Sequence, residues 1–147
     1  MSTAIEFNIL SSADLSALER HVCTRIGEWV TAGRTVCVVT EDSAAAERLD
    51  TLLWTFSDQT FIAHEVATHR DAMPGKPPLP AVLITIGHPA VADVLVNLAG
   101  TVPAGFDSFT QVVEFIDADP TRRDAGRRRF VAYRERGFPP ETLKVGS

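Results

Sequence analysis

The chain has 147 residues, 45% hydrophobic and 22% charged, with 14 Lys and Arg against 19 Asp and Glu for a net charge of −5. That length suits one domain with a real core and leaves too little chain for two. The composition is that of an ordinary soluble globular protein, and no apolar run approaches the length needed to cross a bilayer. The start, MSTAIEFNIL, has no basic segment ahead of its apolar residues, which argues against a secretory signal. Cys23 and Cys37 fit neither a metal site nor a disulfide framework and are expected as buried free thiols. The expectation is a single cytoplasmic domain over 1–147.

Ile5 to Leu10 alternates loosely and predicts a first strand. Ser11 to Asp14 offers helix caps, and Leu15, Leu18, Val22, Ile26 and Trp29 then keep helical spacing until Gly33. Thr35 to Thr40 is β-branched and apolar throughout, as expected of a strand covered on both faces. Glu41-Asp42-Ser43 opens a second helix with an apolar stripe of Ala46, Leu49, Leu52 and Leu53. Trp54 ends that helix about 140° from the middle of the stripe. A tryptophan there is either an interface anchor or a residue covered by a neighbouring loop; Phe61 and Ile62 extend the apolar surface after it. Thr68 to Pro80 is a Pro-rich surface loop rather than a linker. Ala81 to Ile86 and Val94 to Leu98 predict two more strands, and a short turn or helix lies at Phe106 to Phe109.

Gln111 to Phe138 is the most distinctive stretch. Val112, Val113, Phe115 and Ile116 predict a buried strand. Asp119-Pro120 supplies a helix cap and first position, and Gly137 ends the helix. From Asp119 to Arg136 there are seven arginines against three acids, a net of +4, so the rest of the chain carries −9. Arg123, Arg127, Phe130 and Arg134 fall within about 60° on a helix. Three guanidinium groups around a ring suit an acidic peptide with an apolar anchor. A solvated face and direct nucleic-acid binding are the alternatives, the latter disfavoured by the acidic remainder. Ala125 and Ala132, on the opposite side, are small enough to let the helix approach a sheet. The segment 139–147 reads as a short tail.

Alternating strands and helices predict an α/β, Rossmann-like three-layer domain with a mostly parallel sheet and helices on both faces. The residues for nucleotide chemistry are missing. There is no G-x-x-x-x-G-K-[ST], no G-x-G-x-x-G after the first strand, and no G-x-S-x-G elbow. The turn Ser11 to Asp14 lacks glycine and ends in a carboxylate, which would repel phosphate. His64 and His69 make too weak a pair for a metal site. Neither catalysis, cofactor nor metal is expected.

In order and spacing, several segments together resemble the chi subunit of bacterial DNA polymerase III along nearly the whole chain. They are Leu49-Asp50-x-x-Leu53-Trp54, Phe61-Ile62-x-His64, Val82-Leu83-Ile84, Val94 to Ala99, Val112 to Phe115, and Arg127-x-Arg129-Phe130-x-x-Tyr133-Arg134-x-x-Gly137-Phe138. The resemblance implies a non-enzymatic clamp-loader accessory factor with a nucleotide-free Rossmann-like fold. It implies two partners: the psi subunit, and the acidic, Phe-ended C-terminal tail of the single-stranded-DNA-binding protein. Arg123, Arg127 and Phe130 match the family's tail-binding positions, with Arg134 and Ile116 beside them. Trp54 and Phe61, with Ile62, match its psi-binding surface, for which an accessory helicase competes in some members. The family commonly has Tyr where this chain has Phe130, and a further basic residue can occur where Val131 stands. No strong direct nucleic-acid binding is implied.

Overall fold

The structure is a computed structural model that describes residues 3–55, 63–67 and 80–145. The strands are β1 (Ala4–Leu10), β2 (Val36–Thr40), β3 (His64–Val66), β4 (Val82–Ile86), β5 (Val94–Asn97), β6 (Gln111–Ile116) and β7 (Glu141–Val145). Among the described residues lie the helices α1 (Leu15–Thr31), α2 (Ser43–Thr55) and α3 (Pro120–Glu135) and a 3-10 turn at Phe106–Ser108. The strands form one sheet in the order β3-β4-β2-β5-β6-β1-β7, and every pairing in it is parallel.

Side-chain alternation along the strands separates two apolar layers. Val36, Val38, Val94, Val96, Val113 and Phe115 pack under α1 and α2. On the other face Cys37, Val39, Leu95, Val112 and Ile116 pack with Tyr133 of α3 and with Phe106 and Phe109. Helices therefore cover both faces, as expected. The loose alternation of β1 has a physical reason. Ile5 and Phe7 enter the α3-side core, whereas Glu6 and Asn8 meet Arg25 of α1, whose Nη1 donates to both at 2.8 Å.

Local signals set the helix ends. The Asp14 side chain accepts from the Ser16 N–H and caps α1. Asp119 accepts from the Arg122 N–H and Pro120 takes the first turn of α3, where its missing donor costs nothing. Gly137 follows α3 with φ 89°, a left-handed conformation that glycine adopts without a Cβ clash.

The structure corrects the sequence reading in three places. His64–Val66 is a strand, paired with β4, so Val82–Ile86 is the fourth strand and not the third. Much of the supposed tail is β7, which extends the sheet beyond β1. The close approach of α3 to the sheet comes from Gly126 rather than Ala125 or Ala132. A Cβ at Gly126 would lie 2.5 Å from Ile116 Cγ1, so only glycine lets the helix rest on that side chain. Phe61, Ile62 and nearly all of the Pro-rich loop lie outside the described residues.

Cys23 and Cys37 are both buried free thiols. Burial, with the Glu19 charge added, pushes the Cys23 thiol up to about 12, and burial raises Cys37 as well. The thiolate is the reactive form, so neither of the chain's two cysteines should react with a disulfide reagent at pH 8 in the native protein, and both should react in denaturant. Rapid labelling of the folded protein would contradict this packing.

Candidate peptide-binding site

The α3 helix carries the site, and its orientation is set from below. Glu114 of β6 is fully buried, paired across the sheet with Asn97 on one side and Phe7 on the other. Arg129 Nε donates to its Oε1 at 2.9 Å, while the Tyr133 hydroxyl and Asn97 Nδ2 each donate to its Oε2 at 2.7 Å. Burial raises the Glu114 carboxyl above its ordinary value, and Arg129 with the three donated bonds offsets only part of that rise. Arg129 and Tyr133 are four apart and therefore share the inward side of the helix with Gly126.

Two of the seven arginines are thus internal. Arg129 serves Glu114. Arg122 grips Asp117 through Nε and Nη2, at 3.1 and 2.8 Å, and donates to the Ala13 carbonyl. The Asp117 contact raises the Arg122 pKa further. Counting all seven as one cationic surface, as the composition invites, overstates the free charge.

The remaining stripe is open. Arg127 and Arg134 are exposed, and among the described residues no carboxylate comes within 4 Å of either. Arg123 is half-exposed. Its Nε is buried and lies 3.5 Å from the Asp124 carboxylate without forming a hydrogen bond, which leaves an unsatisfied donor. Phe130 is half-buried, its ring packed edge-on against Phe7 at 5.1 Å. The residue is partly buried, packed against the apolar cluster below α3. Ile116 is buried beneath Gly126 in the same apolar cluster. Arg123, Arg127, Phe130 and Arg134 therefore lie along one flank of α3, with Ile116 under it.

The second predicted surface lies at the other end of the sheet. Trp54 is 59% exposed on the last turn of α2, and its ring meets His64 edge-on at 4.8 Å. The His64 ring also lies 3.1 Å from the Asp50 carbonyl oxygen, tying β3 to α2. Five strand spacings of about 4.8 Å separate β3 from β1, so the two surfaces are on the order of 24 Å apart.

A cleft of about 430 Å³ opens at the C-terminal ends of the strands, between the first turns of α1 and α3. Doubly wound folds hold ligands at this position. Its wall is mainly apolar, from Leu15, Leu18, Leu98, Phe115 and Ala125. The charged groups on it have partners: Arg48 has Glu19, Arg122 has Asp117, Arg129 has Glu114, and Glu41 accepts from the Gly100 N–H. Among the described residues no group of three or more His, Cys, Asp or Glu could hold a metal, and no helix is long and apolar enough to cross a membrane.

Comparison with known proteins converges on one family. The family model described as DNA polymerase III chi subunit, HolC, matches residues 1–141. The DNA polymerase III subunit chi of Pseudomonas aeruginosa is 31% identical over 139 residues, covering 93% of each chain. That of Escherichia coli is 30% identical over 129 residues, 84% of this chain and 83% of its own. That of Haemophilus influenzae is 25% identical over 148 residues, 99% of this chain and all of its own.

Breaking the buried pair leaves a charge without its partner, so Arg129→Ala should destabilise the fold by about 3–5 kcal/mol. Arg127→Ala, on the open flank, should stay within about 0.5 kcal/mol of the parent. Equilibrium denaturation measures both, and equal effects would contradict the division between internal and external arginines.

Proposed function

Since the chain belongs to the family of DNA polymerase III chi subunits, and so to the accessory machinery of DNA replication, we propose that it works as a non-enzymatic adaptor. One flank of α3 takes the acidic C-terminal tail of the single-stranded-DNA-binding protein. The surface around Trp54, continued by Phe61 and Ile62, takes the psi subunit or an accessory helicase. The adaptor thereby ties the clamp loader to protein-coated single-stranded DNA.

One observation carries the peptide reading. Among the described residues no carboxylate lies within 4 Å of Arg127 or Arg134, which stand on either side of the half-buried Phe130 ring. Guanidinium groups grip carboxylates through two parallel hydrogen bonds, and the tail supplies them from its aspartates and its terminus. Its apolar end then rests on the Phe130 ring. The non-enzymatic reading is supported by the cleft at the strand ends, whose charged side chains all have partners in the fold and whose wall is largely apolar. The wide separation of the two surfaces lets both partners bind together.

Arg127→Ala should weaken binding of an acidic, Phe-terminated peptide by about 1.5–3 kcal/mol, the range for a charge-assisted hydrogen bond. The affinity of the parent should fall as salt is added. Calorimetry reads both, and an unchanged affinity in the variant would remove this flank from consideration. Trp54→Ala should abolish co-purification with psi while peptide binding persists. Loss of both activities together would point to misfolding and leave the Trp54 assignment without support.

A further inference from the structure

The opposite flank of α3 carries a second cationic groove that the peptide reading does not use. Arg128, Arg129 and Arg136 line it from the helix, and Gly100, Thr101 and Val102 line it from the segment after β5. It encloses about 280 Å³, and no carboxylate lines it among the described residues. Arg129 is already engaged by Glu114. Arg128 and Arg136 are exposed, and no carboxylate comes within 4 Å of either among the described residues. The Arg136 guanidinium lies 5.9 Å from the centre of the Phe106 ring, which gives it an aromatic support beside the groove.

The two cationic flanks are separate. At about 100° per residue, Asp124, Val131 and Glu135 fall on the outward crest of α3, between Arg127 on one side and Arg128 on the other. Two carboxylates on that crest discourage an anion from spanning both flanks. Along the helix axis Arg128 and Arg136 are about 12 Å apart, from eight residues at about 1.5 Å each.

The two flanks also differ in what surrounds their charges. The peptide flank has a ring to receive an apolar anchor. Among the described residues the apolar side chains lining the second groove are Val102 and Ala132, too small to seat one. Phosphodiesters need no such seat, because they present one charge per nucleotide and are held by guanidinium groups through their oxygens. A single short groove between a helix and a loop accommodates one backbone and not two.

We propose that this flank, through Arg128 and Arg136, holds the phosphodiester backbone of single-stranded nucleic acid. The contact is weak, independent of sequence and sensitive to salt, because the remainder of the molecule is acidic. It uses arginines that the peptide reading leaves idle, so either assignment can fail without the other.

Fluorescence anisotropy of a labelled oligothymidylate with the full chain at low salt tests the proposal. Two neutralised phosphates give log K against log salt a slope of about −1.4, at about −0.7 each for a single strand. The double charge reversal Arg128→Glu with Arg136→Glu should weaken binding by roughly tenfold or more, while Arg127→Ala should change it by less than about twofold. If the charge-reversed protein shows a lowered melting temperature, the pair Arg128→Ala with Arg136→Ala decides instead, through loss of most of the salt slope. The proposal is overturned if the parent shows no binding at low salt, or if Arg127→Ala weakens binding as much as the double variant. It is likewise overturned if duplex binds more tightly than single strand. A fourth overturning result is an acidic Phe-terminated peptide losing affinity in the double variant while the oligonucleotide does not, which would make the groove a peptide site.

Discussion

Glu114 brings a carboxylate into a largely apolar sheet face, and Arg129, Tyr133 and Asn97 are what make that tolerable. A buried charge is costly unless it is paired and its lone pairs are filled. Because Arg129 and Tyr133 must both face Glu114, the rotation of α3 about its axis is restricted. Gly126 sets its height, since a side chain there would collide with Ile116. Rotation and height together determine which arginines point outward and which ring edge comes to the surface.

The arginines of α3 consequently do three different jobs. Arg122 and Arg129 hold the helix to Asp117 and Glu114 and contribute to the fold. Arg123, Arg127 and Arg134 form one outer flank with Phe130, and Arg128 and Arg136 form the other. A helix with net charge +4 on a body with net charge −9 would otherwise be drawn onto its own acidic surface. The crest of Asp124 and Glu135 divides the field into two local sites, each with its own shape.

The sheet supplies the rigid spacer between the two surfaces. One parallel sheet, with its central strands buried on both faces, places the Trp54 surface at one end and the arginine flank near the other. The cleft at the strand ends, where a nucleotide would sit in related architectures, has a largely apolar wall whose charged groups have partners in the fold.

Much of this was legible in the chain itself. The valine-rich runs, the apolar periodicity of α1 and α2, the Asp119-Pro120 start and the Gly137 stop depend on local backbone and hydropathy rules, and they defined the α/β class and the basic helix. The stripe of Arg123, Arg127, Phe130 and Arg134 followed from helical spacing alone. What the sequence could not reveal were facts about long-range partners. His64–Val66 and Glu141–Val145 are too short or too polar to read as strands, and they become strands only because β4 and β1 present open edges to them. Arg129 looks like any other arginine in its run until Glu114, fifteen residues earlier, is brought beneath it. Periodicity reports which residues share a face of one element; only the packing of elements against each other decides which charges are buried as pairs and which remain available to a partner.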